Sequence, residues 1–261
     1  MILLARDEAN HLPACIHSLR PLKALPGAEV LVILDSRADP ATERAAREWA
    51  DRVVVSPFVN FAAQRNRGLE AASGDWVLFI DPDERCTPAL AREIAAELSR
   101  SEASDATESR PYAAYRIPRR NILFGREVRH TGWWPDYQTR LLKRDRARYD
   151  ETREVHELPV VDGETGTLRQ PLIHYNYATW RQFFAKQWRY APYDARALLA
   201  SGRVARPYNM LGQPLRELKR RLIDYEGYKD GALGLALSAA MCLYVAETYR
   251  QLWLLQRRPR A

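Results

Sequence analysis

The chain has 261 residues, 46% of them apolar, enough for one large core or a domain with an extension, which excludes a disordered or fibrous chain. Its three cysteines, Cys15, Cys86 and Cys242, are odd in number and far apart, so neither a disulfide framework nor a zinc site is expected, and a reducing compartment fits. The formal charge of +7 is uneven: residues 1–175 carry 25 Lys and Arg against 27 Asp and Glu, whereas residues 176–261 carry 15 against 6. A basic excess confined to one end argues for an anionic membrane surface rather than nucleic acid as partner. The start, Met1-Ile2-Leu3-Leu4-Ala5-Arg6, has neither a basic n-region nor an apolar run of signal-peptide length, so no export is expected.

Short β-branched runs alternate with helical patterns over the first hundred residues, the pattern of a βαβ layered sheet. Strands are predicted at 1–5, 29–35, 52–56 and 75–81. Leu12, Ile16 and Leu19 mark one helix face, Asp39-Pro40 opens a second helix, a third runs over 60–72, and a fourth starts after Thr87-Pro88. Residues 99–110 are polar without periodicity and read as a surface loop. Strand-like pieces at 113–118, 137–143, 153–161 and 168–175 predict a mixed or antiparallel extension of the sheet. From Ala178 the chain reads helical: an amphipathic segment over 180–199, a Gly/Pro break, a basic helix and an apolar one. Residues 1–175 are therefore expected to form one α/β domain and 176–261 a helical extension.

The apolar run from Trp76 to Ile80 ends in Asp81-Pro82-Asp83-Glu84, at the strand edge where open α/β sheets bind ligands. Residues i and i+2 of an extended chain point the same way, so Asp81 and Asp83 can address one hard cation. The equal alternative is a loop of solvated acids before the next helix. Asp35 ends the second strand and can accept hydrogen bonds from a nucleobase or ribose, or be a simple turn aspartate. Gln64 and Arg65, early in the third helix, can reach a base or phosphates.

Arg6-Asp7-Glu8, Leu34-Asp35-Ser36, Ala63-Gln64-Arg65-Asn66, Ala72-Ser73-Gly74-Asp75-Trp76-Val77-Leu78 and Asp81-Pro82-Asp83-Glu84-Arg85 resemble, in order, the landmarks of glycosyltransferase family 2. The closest branch resembled is the lipopolysaccharide-core β-glucosyltransferases, through Gly132-Trp133-Trp134-Pro135-Asp136-Tyr137-Gln138, Val155-His156-Glu157 and His174-Tyr175. The resemblance implies a GT-A fold, a Rossmann-like mixed sheet flanked by helices that binds a nucleotide-sugar. It further implies that Asp83, supported by Asp81, holds Mg²⁺ or Mn²⁺ on the donor diphosphate, with Asp35 and Glu8 near the nucleoside. An inverting transfer of a hexose, glucose from UDP-glucose above all, to a lipid-linked or envelope glycan such as lipopolysaccharide core would follow. Two departures stand out: the first strand starts at Met1, and the family's Asp-Ser-Gly-Ser-Thr-Asp reads Asp35-Ser36-Arg37-Ala38-Asp39, without the glycine.

Inversion needs a base, and Asp136 is the candidate, because it follows Gly132-Trp133-Trp134-Pro135 in a tight loop beside large aromatic faces. Trp133, Trp134 and Tyr137 are candidate acceptor contacts, since aromatic faces suit sugar rings. Alternatively both tryptophans pack the core and Asp136 pairs with Arg140. His156 is a further candidate ligand for metal or diphosphate, or a structural histidine; His174 reads as a core residue. In the tail, Leu215, Leu218, Leu222 and Tyr225 share a helical face among basic residues, which suits a membrane interface, while 232–245 is too short an apolar run to span. An ordinary helical hairpin covering the sheet is the alternative. A cytoplasmic enzyme peripheral on the inner face of the membrane is the expectation. The rivals are a nucleotidyltransferase, which lacks here the expected glycine-rich phosphate loop, and a non-catalytic membrane adaptor.

Overall fold

The computed structural model describes residues 1–105, 112–152 and 158–257. The chain divides into two compact units, Met1–Arg119 with Tyr137–His174, and Arg120–Asp136 with Tyr175–Ala261. The segment 120–136 groups with the C-terminal third.

In the first unit β1 (Ile2–Ala5), β2 (Leu31–Asp35) and β3 (Arg52–Ser56) form a parallel sheet in that order. β4 (Trp76–Leu78) extends it through a parallel bridge between Ile2 and Phe79, where Ile80 N donates to Ile2 O at 3.1 Å. Beyond β4 the order is β8 (Asp136–Lys143), β6 (Ala114–Leu123), β12 (Leu172–Tyr177) and β5 (Glu84–Cys86), with β11 (Thr165–Thr167) parallel to β6. β9 (Ala147–Tyr149) and β10 (Pro159–Val161) pair separately.

The two-residue period of the strands sorts this core into two layers. Leu3, Val32, Leu34, Leu78 and Ile80 pack with α1 (Leu12–Ser18), α2 (Arg20–Lys23), α3 (Pro40–Trp49) and α5 (Pro88–Asp105) through Leu12, Ile16, Leu22, Ala46 and Ile94. Ile2, Leu31, Ile33, Val77 and Phe79 pack with Ala62 and Leu69 of α4 (Phe61–Ala71) and with Tyr149. Asp35 and Asp81 continue the second parity, the side of α4. The second helix is capped as the sequence predicts, the Asp39 carboxylate accepting from Ala41 N and Thr42 N at 2.9 and 2.8 Å; Asn60 caps α4 in the same way, its Oδ1 accepting from Ala63 N at 2.8 Å.

One expectation is corrected here. The stretch read as a loop from residue 99 continues α5 to Asp105, because no glycine or proline interrupts it. Residues 106–111 and 153–157 lie outside the described residues.

The second unit is built on α6 (Trp180–Ala200), α7 (Pro207–Lys219), a π turn (Arg220–Asp224), a 3₁₀ turn (Gly227–Asp230) and α8 (Gly231–Arg257), with the short β7 (Arg126–Glu127) closing back on the end of β6. Leu123, Val128, Tyr177, Phe183, Leu237, Ala240 and Met241 form its main core. The apolar helix is longer than the sequence implies. It runs 27 residues because Glu247 and Arg250 pair along it at 2.7 Å instead of ending it. By length and composition this helix can cross a membrane, yet Leu237, Met241, Tyr249 and Leu252 are buried inside the unit. The basic helix is α7 plus the π turn, and its exposed apolar stripe is Tyr208, Leu211 and Leu215, since Leu218 and Leu222 are half-buried.

Asn66 of α4 ties β9 in place: its side chain accepts from Tyr149 N and donates to Tyr149 O, both at 2.9 Å. Replacing Asn66 with Ala would strand a buried donor and acceptor together, so urea denaturation should show a loss of about 2 kcal/mol. A loss below about 0.5 kcal/mol, the surface-substitution range, would refute this anchoring role.

Candidate functional site

Ile2 lies opposite both Leu31 and Phe79, so the turns after β2 and β4 leave the same edge of the first unit's sheet. Asp35 ends β2, buried, with Oδ1 accepting from Arg37 N at 3.0 Å and Arg6 Nε 3.7 Å from Oδ2. Burial raises its pKa, but the hydrogen bonds from Arg37 and the charges of Arg37 and Arg6 outweigh that and hold the carboxyl below its ordinary value. Among the described residues its buried Oδ2 finds no hydrogen-bond donor. Glu8, half-buried, bonds through its backbone N to Thr42 Oγ1 at 2.8 Å and through its carbonyl to His11 N and Leu12 N at 2.9 Å.

The acidic turn separates its carboxylates. Glu84 is fully buried; its Oε2 accepts from Asp81 N at 2.9 Å, and its Oε1 lies 3.4 Å from Arg119 Nη1 and 3.3 Å from Arg140 Nη2. Asp81 receives the Arg140 fork, Nη1 on Oδ1 at 3.3 Å and Nη2 on Oδ2, while Arg65 Nη2 stands 3.5 Å from Oδ1. Burial pushes the Asp81 carboxyl up, but the charges of Arg140 and Arg65 and the Arg140 hydrogen bonds hold it well below the usual range. The same carboxylates raise Arg140 despite its burial. Arg85 Nη1 closes the turn by donating to Pro82 O and Glu84 O at 2.8 and 2.7 Å. Asp83 has a different partner, its Oδ2 lying 3.4 Å from His174 Nε2, although its side chain is about as exposed as that of Asp81.

A cleft of about 210 Å³ opens on this edge, lined by Arg65, Asp81, Arg119, Gln138, Arg140 and Tyr149 among others. Its guanidinium groups suit an anion such as a diphosphate. Among the described residues no cluster of three His, Cys, Asp or Glu forms a ready metal cage. Asp83 with the neighbouring imidazole nevertheless fits the pattern in which Mg²⁺ or Mn²⁺ is held by one or two protein donors and completed by substrate phosphates. Gln64 faces another way: its Nε2 donates to Pro57 O at 2.9 Å, and its buried Oε1 finds no donor among the described residues.

In the second unit, Asn121 is buried and its Nδ2 donates to Trp133 O at 2.9 Å and to Asp136 Oδ2 at 3.3 Å. That amide fixes both ends of the loop bearing Asp136. Trp133 packs into the core, edge-on to Tyr177 with centroids 6.4 Å apart, whereas Trp134 is 39% exposed. Tyr137, which opens the first unit's second segment, is also exposed, with the Arg116 guanidinium 5.1 Å from its ring centre.

The sequence reading thus brings Arg65, Asp81 and Asp83 to one edge with Asp35. The alternative pairing of Asp136 with Arg140 does not describe Arg140, which serves Asp81 and Glu84. His156 lies outside the described residues. His174 is buried as expected, but against Asp83 rather than apolar groups alone. Arg119 and Arg140 were missed, because nothing local marks a strand arginine as the partner of acids more than thirty residues away.

The model of the family described as glycosyl transferase family 2 matches residues 1–155. LpsC of Rhizobium meliloti, a lipopolysaccharide core biosynthesis glycosyltransferase, is 30% identical over 223 residues, covering 81% of this chain and 76% of its own. An uncharacterized glycosyltransferase of Rickettsia bellii is 24% identical over 210 residues, covering 77% of this chain and 67% of its own. Among solved structures, the mannosyltransferase PcManGT of Pyrobaculum calidifontis, in complex with GDP-Man and Mn²⁺, is similar with a TM-score of 0.52 and 14% identity, covering 98% of this chain and 87% of that one.

The arginine-bound turn has a pH signature. Because the folded Asp81 carboxyl lies below its unfolded value near ~3.9, the stability it contributes is full above that value and is lost as pH falls. Arg140→Met should cost about 3 kcal/mol at pH 7 in urea denaturation, and the gap to wild type should narrow as pH drops below about 4. A gap that is constant or widens with acid would show that the pair is not the source.

Proposed function

This chain belongs to glycosyl transferase family 2, with the GT-A fold, and we propose that it transfers glucose from UDP-glucose, with inversion, to a lipid-linked envelope glycan of the lipopolysaccharide-core type. The glycosyltransferase assignment rests on the family match. The acceptor class is drawn from the relative active in lipopolysaccharide core biosynthesis. The observation that carries the donor reading is the split acidic turn, with Asp81 and Glu84 bound by guanidinium groups and Asp83 set beside His174 at the sheet edge that also holds Asp35.

In this reading the buried Asp35 Oδ2 takes a donor group of the nucleoside, supplying a hydrogen bond that no described residue gives it. Glu8 and Gln64 are assigned to the same end, with the Gln64 Oε1 as a second acceptor. Arg65 and Arg119 line the cleft and attract the diphosphate, while Arg140 keeps Asp81 ionised and oriented. Asp83 would hold the divalent cation, with Asp81 and His156 supporting it. When bound, Mg²⁺ or Mn²⁺ neutralises charge on the leaving diphosphate. PcManGT is bound to Mn²⁺ and a nucleotide-sugar, which supports this cofactor class.

The acceptor oxygen attacks the anomeric carbon from the face opposite the diphosphate. As the new C–O bond forms, the bond to the phosphate oxygen breaks, and its electron pair leaves with UDP. Asp136, oriented by Asn121, accepts the proton of the attacking hydroxyl. Trp134 and Tyr137 offer exposed faces to acceptor sugars; Trp133 supports them from the core.

The second unit is assigned to the cytoplasmic face of the membrane. Exposed Tyr208, Leu211 and Leu215 on a helix with Arg216 and Lys219 combine apolar burial with attraction to anionic lipid. The wide spacing of Cys15, Cys86 and Cys242 along the chain suits a reducing compartment.

Purified protein given UDP-glucose and lipopolysaccharide from cells lacking this chain should add a β-linked glucose, read by NMR of the product. Asp136→Asn should keep the UDP-glucose Kd within about threefold and lose roughly 10²–10⁴-fold in kcat; near-normal turnover would remove Asp136 from this role. In flotation with phosphatidylglycerol vesicles, the double variant Leu211→Glu, Leu215→Glu should stay in the soluble fraction while the wild type floats. Equal flotation would move the docking surface elsewhere.

A further inference from the structure

The loop that carries Trp133, Trp134 and Asp136 is gripped from its N-terminal side by the segment after α7. Asp230 accepts from Arg129 N at 3.2 Å and from His130 N at 2.8 Å with its two carboxylate oxygens. Thr131 N donates to Tyr225 O at 3.1 Å, and Arg221 Nη1 donates to Thr131 O at 2.5 Å. Three consecutive amides and one carbonyl of the loop are thus held by residues 221–230. On its other side the Arg221 Nε bonds to the buried Glu217 at 2.5 Å.

Contact is also tight sterically. A Cβ on Gly132 would stand 2.7 Å from the Tyr225 ring, and one on Gly227 would stand 2.5 Å from Thr131 Cγ2. Thr131 itself is fully buried at φ 58°, a conformation that a β-branched residue adopts only when its surroundings impose it. The gripping segment begins with a π turn, a departure from α geometry that lets Arg221 face inward while Arg220 and Ile223 face outward.

A buried Arg–Glu pair is a weak source of stability, because desolvation offsets its attraction. What it does supply is a fixed direction for the guanidinium. We infer that residues 217–230 form a clamp that sets the position of the Trp133–Asp136 loop, with Arg221 as the positioning residue that fixes the Asp136 carboxylate through Thr131. The inference rests on Asp136 acting as the base. Arg221 touches backbone, not substrate, so its loss should spoil proton transfer without touching donor affinity.

The test uses the full chain with ¹⁵N-labelled tryptophan, UDP-glucose, and lipopolysaccharide from cells lacking this chain. Arg221→Met should lower kcat at least tenfold with the UDP-glucose KM within twofold, and Arg221→Lys should recover part of the loss. The indole N–H resonances of Trp133 and Trp134 should shift in the Met variant while those of Trp49 and Trp76 stay. Asp230→Asn, which removes an acceptor from the same loop, should move the same two resonances, and serves if the Met variant fails to fold. Unmoved Trp133 and Trp134 resonances, or a raised KM with unchanged kcat, would overturn the clamp. An active Asp136→Asn, or a wild type that transfers nothing from UDP-glucose, would instead overturn the proposed function, and the indole shifts would still decide the clamp.

Discussion

The Arg140 guanidinium is the group on which the donor edge depends. Asp81 and Glu84 are joined by reciprocal bonds, Asp81 N to Glu84 Oε2 and Glu84 N to Asp81 O, each 2.9 Å, which brings two carboxylates together at a nearly closed site. Glu84 has no exposed side chain, so two negative charges there need an opposite charge beside them. Arg140 supplies it. It arrives from β8, which runs antiparallel to β4, and the bond from Phe79 N to Arg140 O at 2.9 Å sets its register beside the turn. The consequence reaches Asp83: with its neighbours committed to arginines, it is the carboxylate of the turn that meets the His174 imidazole.

Local pattern was enough for whatever local physics decides. The alternating faces of β1, β2 and β4, the Asp39 and Asn60 caps, and the edge position of Asp35 and Asp81 all follow from periods and capping groups within a few residues. Where local pattern falls short, either hydrophilicity is mistaken for loop or a charge takes its meaning from a partner. The polar stretch after residue 99 was read as loop because its side chains are hydrophilic, although nothing in it breaks a helix. The apolar run before Glu247 was read as ending there, although Arg250 pairs with that glutamate along the same helix. Arg140 was set against the nearby Asp136 when its partner lies 59 residues upstream.

Aromatic residues show the same limit at finer scale. Trp133 and Trp134 are adjacent, and composition cannot tell which is exposed. The structure sends Trp133 into the layer of Tyr177 and Phe183 and leaves Trp134 at the surface, because successive residues of a loop held at Trp133 O cannot both face the core. The glycines were the available signal: Gly132 and Gly227 sit where backbone and ring approach too closely for any side chain. Gly132 was visible as part of a tight turn, but Gly227, nearly a hundred residues on, gave no hint that it faces Thr131.

The charge of the second unit needs the same care. Its 15 basic and 6 acidic residues after position 175 include internal pairs, such as Arg220 and Arg221 with Glu217, and Lys219 with Asp224. Each pair cancels one charge of each sign, so pairing inside the segment leaves the basic excess unchanged. Pairing does decide where that excess can act. Arg221 is turned inward to Thr131 O, while Arg220 remains half-exposed beside Ile223 on the outer side of the same turn. A surface charge is weakened by salt over a Debye length of ~8 Å, whereas the buried Arg221 bond is not. Ionic strength therefore separates the two uses of this segment: attraction to an anionic surface should fade with added salt, and the hold on the Asp136 loop should not.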